Sequence, residues 1–333
     1  MEYILTLTPL APYVILFIGF FFLIKGADMF VDGCSAIAAI FHIPSIIIGL
    51  TIAALGTSAP EAAVSITSSI KGANAMAVSN VIGSNIFNLL VVIGLCSVVK
   101  PLLVSSTIIK RDYPICIAVT IFMLLLCVDF FTDKLNPGNI SRADGIILLV
   151  LFAAYIALLI HDTLKERKAG NTGMEESAAR LSAWTSTLYI IIGALAIAAG
   201  GEFVVDSATA IAESFNLSAT LIGLTIVALG TSLPELVTSI VAACKGENDM
   251  AVGNVVGSNI FNILFVLGGA AAISPINLAT VTNPLFTVYD MIILFVFTII
   301  VYIFILLRKD VSRSEGAFMF FMYLGYLAYI IMR

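Results

Sequence analysis

Apolar residues run along this chain almost from end to end, broken at intervals by glycine, proline or a few polar positions. Reading the runs between those breaks gives spans near 12 to 40, 44 to 70, 75 to 99, 112 to 131 and 142 to 162. Five more lie near 184 to 214, 218 to 244, 249 to 273, 285 to 307 and 314 to 332. A helix needs about 20 apolar residues to cross the hydrocarbon core of a bilayer, and runs of this kind predict membrane helices. The first run carries Asp28 and Asp32 in its second half and lacks the small-residue site that closes a cleaved signal, so it is expected to stay as a helix. The one sizeable hydrophilic stretch, Lys165 to Ser182, reads as a linker.

Composition agrees with the pattern. Of 333 residues, 60% are hydrophobic and 11% charged, with a mean hydropathy of +1.11, against roughly 25% charged residues in a soluble domain. The expected fold class is therefore an all-α polytopic membrane protein. A net charge of −5 without a dense basic cluster argues against a nucleic-acid partner or a polybasic lipid anchor. With the N-terminus outside, the inner loops hold Lys100, Lys110, Arg111, Lys165, Arg167, Lys168, Arg180, Lys245, Arg308, Lys309 and Arg313. The outer side then holds Lys71, Lys134, Arg142 and Arg333. That asymmetry predicts both termini outside. Cys34, Cys96, Cys116, Cys127 and Cys244 sit singly in apolar stretches and read as small packing residues.

The chain also repeats itself. Shifted by 174 residues, Gly49 to Gly94 aligns with Gly223 to Gly268 without a gap, and 30 of the 46 positions are identical. Upstream, Asp32 meets Asp206. Five spans precede the second copy, an odd number, so that copy must enter the membrane from the opposite side. The expected architecture is ten transmembrane helices as two inverted-topology five-helix repeats. The first would occupy 1–164, a cytoplasmic linker 165–183 and the second repeat 184–333, with the duplicated motifs near 44–99 and 218–273. Inverted repeats are a recurrent plan of secondary transporters, which hold substrate near the midplane where the copies meet.

The duplicated segments are the most polar of the apolar spans. Each places Gly-Thr-Ser-X-Pro-Glu in mid-span: Gly56, Thr57, Ser58, Pro60 and Glu61, then Gly230, Thr231, Ser232, Pro234 and Glu235. Proline removes a backbone N–H and disturbs the preceding turn, which is expected to free carbonyls around Ala54 to Thr57 and Ala228 to Thr231. Ionisable residues at membrane depth are costly and usually functional. Glu61 and Glu235 are the leading candidates. The next span in each copy adds Asn80, Gly83, Ser84, Asn85 and Asn88, matched by Asn254, Gly257, Ser258, Asn259 and Asn262. Ser84 and Asn88, like Ser258 and Asn262, are four residues apart and share a helix face. Gly83 and Gly257 are expected to let helices approach closely. Interhelical hydrogen bonding is the competing role for the two asparagines, and back-bonding to a helical carbonyl for the hydroxyls. Carboxylate, hydroxyl, amide and carbonyl oxygens without His or Cys suit hard cations such as Ca²⁺ and Na⁺. Two carboxylates neutralise one Ca²⁺ or two Na⁺, so one ligand set can serve competing ions.

The paired GTSxPE and GSNIFN segments resemble the alpha repeats of the sodium/calcium exchanger family, and the chain is similar in span number to its short prokaryotic members. The resemblance implies antiport of Na⁺ and Ca²⁺ across a prokaryotic plasma membrane, with no cofactor beyond the transported ions. It implies Ca²⁺ held by Glu61 and Glu235 with oxygens of Thr57 and Thr231. One sodium position would use the Ala54 carbonyl, Thr57, Ser58, Ser84 and Glu235, and its mate Glu61, Ala228, Thr231, Ser232 and Ser258. Asn88 and Asn262 would lie at the centre. Many family members carry Asp at the position of Asn262, so this site is one carboxylate poorer and more symmetric; Ser79 also replaces the glycine found at Gly253.

An H⁺/Ca²⁺ antiporter on the same fold is the main alternative, since buried glutamates can titrate; a cation channel or metal sensor is a further one. No P-loop or zinc-type cluster points to an enzyme or to ATP. Asp28, Asp32, Glu202 and Asp206, in the first and sixth spans, are expected to have a structural or vestibule role, with Asp32 and Asp206 matching between repeats.

Overall fold

The computed structural model describes residues 10–129, 136–168, 181–215, 228–278 and 284–332. Most of the expected linker and the start of the expected span near 218 to 244 lie outside them. Helix α1 (Ala11–Phe41) is followed by α2 (Ser45–Thr57) and α3 (Ala59–Ile70), then by α4 (74–99), α5 (108–127) and α6 (Arg142–Lys168). After the linker come α7 (Ala183–Ser214), the short α8 (Ala228–Gly230), α9 (Leu233–Lys245), α10 (Asn248–Ile273), α11 (Pro284–Arg308) and α12 (Arg313–Met332). Among the described residues, seven helices are long and apolar enough to cross a membrane, or eight with α2 and α3 taken as one bent span. The chain is a multi-pass membrane protein. Helix α6 runs on to Lys168, so the first residues assigned to the linker are helical.

The expected span near 44 to 70 is broken. The axes of α2 and α3 differ by 49°, and the break falls at Ser58. Pro60 sits in the first turn of α3, where a missing N–H costs a helix nothing, while it cannot donate to the carbonyl one turn back. Pro234 occupies the same place in α9.

Helices α1 and α7 lie side by side and antiparallel. Gly19 rests on Gly200, Gly26 on Gly193 and Gly33 on Ser186, an advance on one helix matched by an equal retreat on the other. A Cβ on Gly26 would stand 2.9 Å from the Gly193 carbonyl oxygen, and one on Gly193 2.7 Å from the Phe30 nitrogen. Without a hydrophobic driving force in lipid, such close backbone contact is what holds helices together. At the far end of α1, the Lys245 ammonium lies 2.7 Å from Asp28 and 2.6 Å from Asp32, and Ser35 Oγ donates to Glu247 at 3.0 Å. The acidic pair thus has a structural partner on α9.

Helices α4 and α10 form the buried centre, with most of their side chains shielded from every direction. Each packs its second half on a peripheral helix through glycine: Gly94 against the Gly316 backbone of α12, and Gly268 against Gly145 and Leu148 of α6. Two-residue antiparallel bridges tie the ends of the same elements, Leu102 pairing with Val311 and Ile276 with Ile140. Leu102 and Ile276 are equivalent at the 174-residue offset, as are Gly94 and Gly268.

Candidate functional site

The two broken segments deliver their carboxylates into the centre. Glu61 lies in the first turn of α3 and Glu235 in the first turn of α9, and neither has any exposed surface. The first turn of a helix carries unpaired N–H groups and accommodates negative charge. Four short stretches of backbone, at the breaks and on the facing turns of α4 and α10, bring the remaining oxygens around them.

The supporting hydroxyls cross between the two copies of the motif. Ser58 Oγ donates to Glu235 Oε1 at 2.8 Å, and Ser232 Oγ donates to Glu61 Oε1 at 2.9 Å. Ser84 adds a longer contact to Glu61 Oε1 at 3.4 Å, and its counterpart Ser258 stands beside Glu235, its Oγ outside hydrogen-bond geometry to any described residue; each serine thus lies by the other carboxylate from the one that the resemblance implied. In both carboxylates Oε1 is committed to protein hydroxyls while Oε2 has no hydrogen-bond partner among the described residues.

Thr57 is buried, with Oγ1 3.0 Å from the Ala53 carbonyl and 3.2 Å from Asn254 Oδ1, and one proton to share between them. Thr231 Oγ1 is buried with no partner among the described residues. The Ala54 carbonyl accepts the Ser58 N–H at 3.0 Å, so it stays in the helical ladder and keeps only its second lone pair for another ligand. The break expected to free it acts later, where Pro60 offers no N–H to Gly56. Ala228 opens α8, and the residues before it lie outside the described ones.

At the centre α4 and α10 cross through four asparagines. Asn88 Nδ2 donates to Asn259 Oδ1 at 3.1 Å and Asn262 Nδ2 to Asn85 Oδ1 at 3.0 Å. Asn85 Nδ2 donates to the Asn259 carbonyl at 3.2 Å and Asn259 Nδ2 to the Asn85 carbonyl at 3.3 Å. Both helices widen to π turns at the site, over Asn88–Val92 and Asn262–Leu267, a distortion that often marks functional positions. Asn80 and Asn254, by contrast, bond sideways to Ser65 and Ser239 at 2.8 and 3.0 Å, joining α4 to α3 and α10 to α9.

The glycines divide. A Cβ on Gly257 would lie 2.8 Å from Leu50 Cα, so close packing there holds. One on Gly83 meets nothing within 4 Å among the described residues, and the repeat equivalent of Leu50, Leu224, is outside them. Gly253 packs on the Ile46 carbonyl, whereas Ser79 is exposed.

Sequence reasoning missed three features. It named Asn85 and Asn259 among the polar residues of their spans but gave them no part as the links between Asn88 and Asn262. It overlooked Lys245 as partner of Asp28 and Asp32. It also overlooked that Glu202 falls at the offset position of Asp28, a signal present in the repeat itself.

Among the described residues, then, six shielded oxygens have no hydrogen-bond partner around this crossing: Glu61 Oε2, Glu235 Oε2, Asn88 Oδ1, Asn262 Oδ1, Thr231 Oγ1 and Ser258 Oγ. A buried polar atom is normally paired; hard oxygens of this kind are the ligands that a cation such as Ca²⁺ takes.

The chain is similar to known proteins over most of its length. A profile described as sodium/calcium exchanger protein matches residues 11–161 and 185–332. The sodium/calcium exchanger MaX1 of Methanosarcina acetivorans is 30% identical, over 95% of this chain and 97% of that one. The inner membrane protein YrbG of Escherichia coli is 37% identical over 78% of this chain and 79% of its own. A solved structure of the sodium-calcium exchanger NCX_Mj superposes with a TM-score of 0.80 at 28% identity, covering 96% of this chain and 99% of that one. With both halves matched and the buried oxygens where the duplicated motifs meet, this chain belongs to the sodium/calcium exchanger family.

Proposed function

We propose that the chain is a secondary active antiporter that exchanges Na⁺ for Ca²⁺ by alternating access at the crossing of α4 and α10. The observation that carries this reading is the crossed pair Ser58–Glu235 and Ser232–Glu61, in which each carboxylate is held by the other copy of the motif and keeps one oxygen unpartnered among the described residues. Glu61 and Glu235, with Thr57 and Thr231, hold Ca²⁺. Thr57, Ser58, Ser258 and the second lone pair of the Ala54 carbonyl join Glu235 for one sodium, and Thr231, Ser232, Ser84 and Ala228 join Glu61 for another, with Asn88 and Asn262 between them.

Two ionised carboxylates match the charge of one Ca²⁺ or two Na⁺, so the ions compete for the same oxygens. Moving the empty, doubly charged site past an apolar barrier is expensive, which ties the change of access to a filled site. The glycine seam joins α1 to α7 as one body, and these two slide together across the remaining helices.

In this reading the chain has ten membrane helices. Residues 1–164 and 184–333 form inverted five-helix repeats joined by a cytoplasmic linker over 165–183. The antiparallel α1 and α7, and the equivalent bridges at Leu102 and Ile276, support that plan. The protein sits in a prokaryotic plasma membrane with both termini outside, in accord with the distribution of Lys and Arg.

The test is ⁴⁵Ca²⁺ uptake into sodium-loaded liposomes diluted into sodium-free medium at fixed pH. Uptake driven by the outward sodium gradient is expected; uptake that ignores sodium and follows an imposed proton gradient would replace Na⁺ by H⁺ as the coupling ion.

A further inference from the structure

The four-asparagine crossing contains two residues that touch no proposed ion and yet determine what the ion meets. A side-chain amide has one acceptor end and one donor end, and either can face a cation. At Asn88 and Asn262 the orientation is decided elsewhere. The decision starts from two backbone carbonyls, which can only accept. The Asn259 carbonyl takes Asn85 Nδ2 at 3.2 Å and the Asn85 carbonyl takes Asn259 Nδ2 at 3.3 Å. Those carbonyls also accept the helical N–H of Asn262 and Asn88, so their lone pairs are filled. With Nδ2 turned to those carbonyls, the amides of Asn85 and Asn259 are fixed with Oδ1 facing Asn262 and Asn88. Asn262 and Asn88 must then present NH₂, at 3.0 and 3.1 Å. Their own Oδ1 atoms are left without partners among the described residues. All four side chains are at most 1% exposed.

The geometry points to Asn85 and Asn259 as positioning residues that lock the amide oxygens of Asn262 and Asn88 toward the transported cation. The lock is reciprocal: each linking asparagine sits on the opposite helix from the amide it aims. The inference rests on the proposed ion site and adds to it the reason why two neutral amides act there as oxygen ligands. Freed from its lock, Asn262 can turn its NH₂ toward the cation, which removes a ligand and adds a repelling dipole.

An aspartate has oxygen at both ends and needs no aiming, and this separates positioning from packing. Half-saturating Ca²⁺ is measured by equilibrium ⁴⁵Ca²⁺ binding to the purified full chain for Asn85→Ala, Asn262→Asp and the double variant. Thermal unfolding in detergent reports on folding. Asn85→Ala is expected to raise half-saturation about tenfold in the otherwise native chain, and less than threefold when it is added to Asn262→Asp. The twin set, Asn259→Ala with Asn88→Asp, is expected to behave alike and serves if Asn85→Ala does not fold. An equal loss in both backgrounds would overturn the proposal and reduce Asn85 and Asn259 to packing residues. Binding at equilibrium is independent of the coupling ion, so this result stands apart from the liposome test of Na⁺ against H⁺.

Discussion

Ser58 and Glu235 lie 177 residues apart in the chain, and the Ser58 hydroxyl donates to Glu235 Oε1 at 2.8 Å. The reciprocal bond, Ser232 to Glu61 at 2.9 Å, makes each half of the site incomplete without the other. Within the first copy Ser84 adds only a longer contact to Glu61, at 3.4 Å.

Exchanging either carboxylate for its amide removes the charge and keeps the shape. Glu61→Gln and Glu235→Gln are expected to fold, since Ser232 and Ser58 can still donate to the amide oxygen, and to lose Ca²⁺ flux by about 100-fold or more. Sodium-dependent ⁴⁵Ca²⁺ uptake in liposomes checks this, and near-normal flux in either variant would remove these residues from the site.

Ser58→Ala and Ser232→Ala each withdraw one hydrogen bond to a charged group, worth about 1.5–3 kcal/mol. Half-saturating Ca²⁺ is expected to rise about tenfold or more in each, and by similar factors because the two contacts are equivalent. A large loss in one variant with none in the other, measured by equilibrium binding, would contradict the crossed arrangement.

The α1–α7 seam has no room for side chains at Gly26 or Gly193. Gly193→Val is expected to part the helices and lower stability by about 1–3 kcal/mol, the usual cost of overpacking. Thermal unfolding in detergent would show it as a lowered Tm, and an unchanged Tm would mean that the seam is not a tight one.

Lys245 ties α9 to Asp28 and Asp32 of α1, with all three side chains partly exposed. An exposed ion pair contributes about 0–1 kcal/mol, so Lys245→Met should fold normally. If α1 moves against α9 during exchange, the variant changes the maximal rate and leaves half-saturating Ca²⁺ within about threefold. A large shift in half-saturation with an unchanged rate would place Lys245 in the ion site instead.

Much of this was legible in the sequence, for reasons that differ by residue. Glu61, Glu235, Asn88 and Asn262 stood out because polar groups at membrane depth are costly and these four recur at one offset. The break at Ser58 followed from Pro60. The crossing of Ser58 to Glu235 could not be read, because an offset says which residues are equivalent and not which of them touch. The orientation of Asn88 and Asn262 was hidden for a similar reason: it depends on two carbonyls of the facing helix. Gly19, Gly26 and Gly33 carried a readable seven-residue spacing, but glycine is common in membrane helices and the partner on α7 was not evident. Ala54 shows the limit of a local rule, since its carbonyl keeps the helical bond that a nearby proline was expected to release.

The central claim is that one set of oxygens serves both ions, and competition at equilibrium tests it most directly. ⁴⁵Ca²⁺ binding to the purified protein is measured against rising Na⁺ at fixed ionic strength and pH, with Glu61→Gln as the control. Sodium is expected to displace Ca²⁺ competitively and with cooperativity above one ion, while Glu61→Gln binds no Ca²⁺ to displace. Calcium binding that is unchanged by sodium would contradict a shared site.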